Sequence, residues 1–133
     1  YDMVSLLIGV NNQYSGYDIH EYREEFRFLL GKAIEYAGGN ASHVIVLSIP
    51  DWGVTPFASG RAREQIANDI DAFNAVNLEE SRNAGIHYVD VTPVSREAVN
   101  DPVLVAVDGL HPSGKMYTEL SKLTLTIAMK ILE

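Results

Sequence analysis

Short apolar runs alternate along the chain with longer segments whose apolar residues recur every three or four positions, and this alternation constrains the fold more than any other feature. Residues 3–8 and 44–49 are almost continuously apolar, which is typical of strands buried on both faces of a parallel sheet. Residues 86–91 predict a third strand, and residues 103–107 predict a shorter fourth one. The pattern therefore predicts an α/β fold, in which helices cover a parallel sheet.

Three helices are predicted between and after these strands. The first spans 18–37 and begins at Asp18, whose side chain is suited to cap it. The second spans 60–84, and the third begins at Pro112, because proline is favoured at the first helical position. No repeat or linker interrupts the pattern, so residues 1–133 are expected to form a single domain.

Charge and composition exclude several classes of function. Eighteen acidic residues against ten basic ones give a formal charge of −8, which would repel a nucleic acid backbone. No apolar run approaches the roughly 18 residues of a membrane span. The chain has no cysteine, and His20, His43 and His87 are scattered without the spacing of metal ligands, so no metal site is expected. The acidic pair Glu79 and Glu80 is interpreted as a solvated helix face.

One turn combines two residue types that catalysis uses together. Asp108 stands three residues before His111, directly ahead of the third predicted helix. In such a turn the carboxylate can bend back onto the imidazole and select the tautomer that leaves the other ring nitrogen free as a base. The alternative is a turn aspartate followed by a residue near a helix cap.

Two other stretches also follow predicted strands, where parallel sheets bind their ligands. Asn11 offers an uncharged N–H donor for a developing oxyanion, whereas the alternative is that Asn11 and Asn12 only shape a turn. Trp52 and Phe57 lie in the loop 51–59, and large aromatic side chains after a strand predict the wall of a pocket.

Taken together, residues 2–12, 44–50 and 108–113 strongly resemble the SGNH, or GDSL-like, serine ester hydrolases. The resemblance spans nearly the whole chain. Gly9 and Asn11 are similar to the family's Gly-x-Asn-Asp block, with Asn12 where the family more often has aspartate. Asp108 and His111 are similar to its Asp-x-x-His block.

The resemblance implies a three-layer, flavodoxin-like, doubly wound parallel sheet and hydrolysis of small-molecule carboxylic esters without a cofactor. It implies that His111 acts as general base and then as general acid, that Asp108 orients it, and that Asn11 donates to the oxyanion hole. Asn12, Trp52 and Phe57 are candidates for the substrate pocket.

The family's nucleophilic serine lies in a Gly-Asp-Ser block on its first strand, and this block does not occur in the sequence. We expect it upstream of Tyr1, in a longer protein of which this chain is a piece. Tyr1 is then expected near the core of the sheet and residues 3–9 in an interior strand, with the upstream segment or a partner chain completing the sheet.

The serines within the chain are weaker candidates for the nucleophile. Ser5 and Ser48 lie in predicted strands, and Ser59 and Ser113 are interpreted as helix caps. A non-catalytic ligand-binding domain of the same fold therefore stays as the alternative function. Because a binding domain has no need of an oriented base, the presence of both Asp108 and His111 favours the enzyme.

Overall fold

The structure is a computed structural model that describes residues 1–133. Its strands and α-helices follow one another in the order β1 (Val4–Leu6), α1 (Val10–Tyr14), α2 (Ile19–Tyr36), β2 (Val44–Leu47), α3 (Arg63–Asn83), β3 (His87–Val89), α4 (Thr92–Arg96) and α5 (Gly114–Leu132). The predicted alternation of strands and helices is confirmed. No helix is both long enough and apolar enough to cross a bilayer.

The three strands form one parallel sheet in the order β1-β2-β3, with β2 in the centre. Successive side chains of a strand point to opposite faces, and the core divides accordingly. Val44 and Val46 pack with α2 and α3 on one side, while Ile45 packs with Met116 and Leu120 of α5 on the other. The result is the three-layer arrangement that the sequence predicts.

The strand β1 lies at an edge of the sheet that residues 1–133 form, whereas the interior position predicted for it depends on an upstream segment or a partner chain. Within residues 1–133 only β2 pairs with it, so its side chains stay partly open to solvent. Val4 and Leu6 are half-buried and Ser5 is exposed. Tyr1 is 87% exposed instead of lying near the core, and its amino group donates to the Tyr36 carbonyl oxygen at 2.7 Å.

The predicted fourth strand does not form. Pro102–Leu104 is a single 3-10 turn, and Val105 makes only an isolated antiparallel bridge with Pro112. Proline has no N–H for a ladder, and the Asp101 carboxylate accepts from the Val103 N–H at 3.2 Å, which closes the turn locally.

The first two long helices differ in how well the sequence predicts their starts. Asp18 caps α2 as expected, its carboxylate accepting from the N–H groups of His20 and Glu21. By contrast, α3 begins only at Arg63, so the interpretation of Ser59 as its cap is wrong. Ser59 instead follows the 3-10 turn Pro56–Ala58, and its backbone N–H donates to the Pro56 carbonyl oxygen of that turn at 3.0 Å.

The last helix begins later than predicted. Pro112 stays outside α5 because it pairs with Val105. The Ser113 hydroxyl accepts from the Met116 N–H at 3.2 Å and caps the helix, which confirms its interpretation as a cap.

One acidic residue interpreted as solvated is buried. Glu80 is 4% exposed in the interface between α2 and α3, where it pairs with both Arg23 and Arg27. The hydrogen bond from Arg27 is the main reason why the pKa of Glu80 lies below its usual range. Its neighbour Glu79 is exposed, as expected.

Candidate active site

Four segments meet beyond the carboxyl end of the sheet and line a cavity of about 300 Å³. They are α1, the loop after β2, the segment from α4 to Ala98, and the residues that lead into α5. Asn11, Trp52, Phe57 and His111 all line the cavity, and nine of its 16 lining residues are hydrophobic. The structure thus brings together four of the side chains that the sequence singles out, in the place where parallel sheets bind ligands.

Asp108 and His111 are in direct contact at the rim of this cavity. The Asp108 Oδ2 lies 2.6 Å from the His111 Nδ1, while its Oδ1 accepts from the backbone N–H groups of Leu110 and His111, both at 3.0 Å. The Leu110 N–H, followed by the His111 ring, lowers the pKa of Asp108 to about 2. An ionised carboxylate on Nδ1 holds the proton there and leaves Nε2 without a protein partner.

The turn that carries this pair is held by backbone hydrogen bonds. The Ala106 N–H donates to the His111 carbonyl oxygen at 2.7 Å, and Gly109 turns the chain with a φ of 73°, in the left-handed region that glycine adopts without a steric penalty. The Phe57 N–H donates to the Gly109 carbonyl oxygen at 3.0 Å, so the loop 51–59 is tied directly to the histidine turn.

Asn11 lies in the first turn of a short helix instead of the predicted loop. Gly9 precedes this helix with a φ of 113°, and a Cβ there would clash with the Tyr22 hydroxyl and lie 2.8 Å from the Ile49 Cδ1. Only glycine therefore lets the chain turn from β1 into α1 at this point. The Asn11 carboxamide is exposed at the cavity and has no hydrogen-bond partner in the protein.

Three aromatic rings form one wall of the cavity. The Tyr14 ring lies 5.3 Å from Trp52 and 6.3 Å from Phe57, measured between ring centroids, and the Trp52 Nε1 donates to the buried Gln13 side chain at 2.8 Å. The sequence interpretation did not include Tyr14. The signal for it is its position three residues after Asn11, which places both on one face once residues 10–14 are helical.

Asn12 is the predicted pocket residue that the structure places elsewhere. It does not line the cavity, and its Nδ2 donates to the Glu25 carboxylate at 3.3 Å on the surface. Adjacent residues of a helix point in directions about 100° apart, and in α1 it is Val10, Asn11 and Tyr14 that face the cavity, while Asn12 lies on the side toward Glu25.

The loop 51–59, which carries Trp52 and Phe57, is held in place by ionic contacts that the sequence analysis did not predict. Asp51 is buried, and its carboxylate pairs with Arg96 at 2.9 Å and accepts from the Gly53 N–H at 2.8 Å. Arg96 also pairs with Asp71 of α3 at 2.8 Å. These contacts fix the start of the loop that carries Trp52 against α4 and α3.

No hydroxyl group within residues 1–133 contacts the free Nε2 of His111. Ser95 and Thr55 line the cavity, but their hydroxyls donate to the carbonyl oxygens of Thr92 and Trp52. Ser48 is fully buried and bound to Asp90. The site as described therefore contains an imidazole held by a carboxylate and a carboxamide without a partner, and no hydroxyl group beside Nε2.

Comparison with known proteins agrees with this architecture. Residues 1–118 match the family model of the GDSL-like lipase/acylhydrolase family. Among solved structures, the chain is similar to Axe2, an acetylxylan esterase from Geobacillus stearothermophilus, with a TM-score of 0.68, 19% identity, and coverage of 95% of this chain and 59% of that one.

It is also similar to LAE5, an alpha/beta hydrolase enzyme from the metagenome of Lake Arreo, Spain, with a TM-score of 0.64, 17% identity, and coverage of 98% of this chain and 61% of that one. The chain thus spans about three-fifths of the length of these structures. No curated protein sequence matches it. Because the family model covers most of its length, the chain belongs to the GDSL-like lipase/acylhydrolase family.

Proposed function

We propose that the protein hydrolyses carboxylic esters through a serine acyl-enzyme. His111 is the general base and acid, and Asp108 orients it. The observation that carries this proposal is the 2.6 Å contact between the Asp108 carboxylate and the His111 Nδ1, which leaves Nε2 free at the rim of the cavity. A binding domain gains nothing from a histidine oriented in this way, whereas a general base requires it.

In the proposed mechanism, the His111 Nε2 takes the proton of a serine hydroxyl as its oxygen attacks the ester carbonyl carbon. The Asn11 carboxamide donates to the oxygen that becomes negative. His111 then gives its proton to the departing alcohol, and a water molecule releases the acid from the acyl-enzyme by the same steps. The nucleophilic serine is proposed to come from outside residues 1–133, because no hydroxyl within them meets Nε2.

The cavity supports a small-molecule ester as the substrate. Its volume of about 300 Å³ is at the lower end of small-molecule sites, and its lining combines apolar side chains with polar ones, among them Asn11 and His111. The acetylxylan esterase activity named for Axe2 is compatible with a short acyl group here.

Replacement of His111 in the full-length protein tests the proposal. The wild-type protein should hydrolyse p-nitrophenyl acetate, and His111→Ala should remove nearly all turnover and the acylation burst. The His111 side chain is 70% exposed, so the variant should keep its melting temperature. His20→Ala, an exposed histidine on α2, is the matched control and should be fully active.

Two outcomes would contradict the proposal. Wild-type protein that binds esters without hydrolysing them would favour the non-catalytic binding domain. Activity of His111→Ala within a few fold of wild type would exclude His111 as the base.

A further inference from the structure

Arg61 places an unpaired positive charge beside the cavity. Its guanidinium carbon lies 4.9 Å from the Phe57 ring centroid and 5.5 Å from those of Tyr14 and Trp52. All three rings line the cavity, and Phe57 is hydrogen-bonded through its backbone to the turn that carries His111. The charge therefore lies against the aromatic wall of the cavity that His111 also lines.

Arg61 differs from the arginines that hold the fold together. Arg23, Arg27 and Arg96 each pair with carboxylates, whereas Arg61 has no acidic partner. Its one side-chain hydrogen bond runs from Nη2 to the Tyr14 hydroxyl and is long, at 3.5 Å. Attraction to aromatic faces uses the charge of a guanidinium and leaves its N–H groups free, so those of Arg61 are available to an external acceptor.

The surroundings of Arg61 favour an anion as that acceptor. Arg63 and Arg82 also lack an acidic partner, but only Arg61 lies over rings that line the cavity, where its positive charge can attract a negative group on a ligand. Three rings already restrain the side chain, and a preordered side chain loses less entropy when it binds. The planar fork of a guanidinium matches the two oxygens of a carboxylate.

We propose that Arg61 binds a carboxylate of the substrate, so that the protein prefers esters whose acyl or alcohol part carries a carboxylate near the ester bond. This inference rests on the proposed ester hydrolysis and adds a substrate class to it. Arg61 is then a specificity-determining residue that acts on binding and leaves the roles of His111 and Asp108 unchanged.

The test compares charged and neutral esters of the same shape. The full-length protein is assayed with 3- and 4-acetoxybenzoate and with the corresponding acetoxybenzamides, which replace the carboxylate by a neutral group. The ratio of kcat/KM for the acid over the amide is measured for wild type, Arg61→Gln and Arg61→Lys. Comparing this ratio between variants cancels the intrinsic reactivity of the esters. Arg82→Gln, an exposed arginine of α3 without an acidic partner, controls for the change in net charge.

For at least one of the two isomers, Arg61→Gln should lower the ratio by about tenfold, mainly through KM of the carboxylate ester, because a charge-assisted hydrogen bond at a partly exposed site is lost. Arg61→Lys should retain part of the preference, since the charge stays and the fork is lost. Arg82→Gln should leave the ratio unchanged. An unchanged ratio for both isomers in Arg61→Gln, with the amides still hydrolysed, would overturn the inference and leave the proposed function standing.

A binding experiment keeps the inference testable without turnover. Cyclohexanecarboxylate and cyclohexanecarboxamide are titrated into wild-type protein and Arg61→Gln, and their dissociation constants are measured by NMR. The carboxylate should bind wild type more tightly than the amide, and Arg61→Gln should remove that difference. Equal affinities of the two compounds for wild-type protein would overturn the inference. If wild-type protein hydrolyses neither these four esters nor p-nitrophenyl acetate, the proposed function is overturned, and the binding experiment then decides by itself whether Arg61 binds a carboxylate.

Discussion

Asp108 holds His111 at two points, with one carboxylate oxygen 3.0 Å from its backbone nitrogen and the other 2.6 Å from its ring Nδ1. A single side chain thus fixes both the position of the residue and the orientation of its imidazole. Because both contacts span three residues of one turn, the pair depends on local geometry and needs no partner from elsewhere in the chain.

Asp108→Asn should show whether Asp108 serves to orient the His111 imidazole or only to stabilise the turn. Asparagine can still accept from the backbone, but its amide N–H₂ facing Nδ1 would favour the tautomer with its proton on Nε2, which cannot act as a base. We expect kcat of the full-length protein to fall by up to about four orders of magnitude. The Asp108 side chain is half-exposed and asparagine keeps its backbone contacts, so the melting temperature should change little. Activity within tenfold of wild type would contradict the orienting role of Asp108.

The pKa of Asp108 predicts how the turn responds to acid. The pKa is lowered from an ordinary value of 3.8 to about 2, so the contacts of the carboxylate stabilise the folded state fully above pH 3.8 and are lost as the pH falls from there toward 2. An NMR titration of the Asp108 carboxyl carbon should show a midpoint near 2. In His111→Gln the midpoint should stay below 3.8, because the Leu110 N–H is the largest cause of the shift. A wild-type midpoint at or above 3.8 would contradict the geometry of the turn.

Asn11→Ala tests the oxyanion role. Its carboxamide has no partner within the protein, so the melting temperature should be unaffected, while kcat should fall by roughly 10²–10³ with little change in KM. Asn12→Ala is the matched control, since Asn12 faces Glu25 outside the cavity and should leave kcat unchanged. If Asn11→Ala were less stable but fully active, Asn11 would only shape the start of α1.

Gly9→Ala should destabilise the fold. A side chain at a φ of 113° is strained, and the added Cβ would meet Tyr22 and Ile49 in the core. Together these effects should lower the free energy of unfolding by roughly 2–5 kcal/mol in urea denaturation. Gly31→Ala, in α2 with open space around it, should instead stabilise by about 0.5–1 kcal/mol. Equal stability of the two variants would show that the approach of Tyr22 to Gly9 is not required.

The sequence alone determined the features that depend on neighbours along the chain. The apolar run of β2 predicts a buried strand, Asp18 predicts the start of α2, and the spacing of Asp108 and His111 predicts their contact. In each case the decisive interaction joins residues that are close in the sequence or follows the period of a regular element. The separation of the residues along the chain therefore predicts whether they come together in the structure.

Other features depend on how helices, strands and loops pack against one another, and these features emerge only in the three-dimensional structure. Glu80 is buried because α2 brings two arginines over it, and the rings around Arg61 come from α1 and from the loop 51–59. The same holds for Asn12, whose direction follows from the short helix that Gly9 begins. These contacts join residues up to 57 positions apart, and their partners are set by the packing of helices on the sheet, which no local pattern of residues encodes.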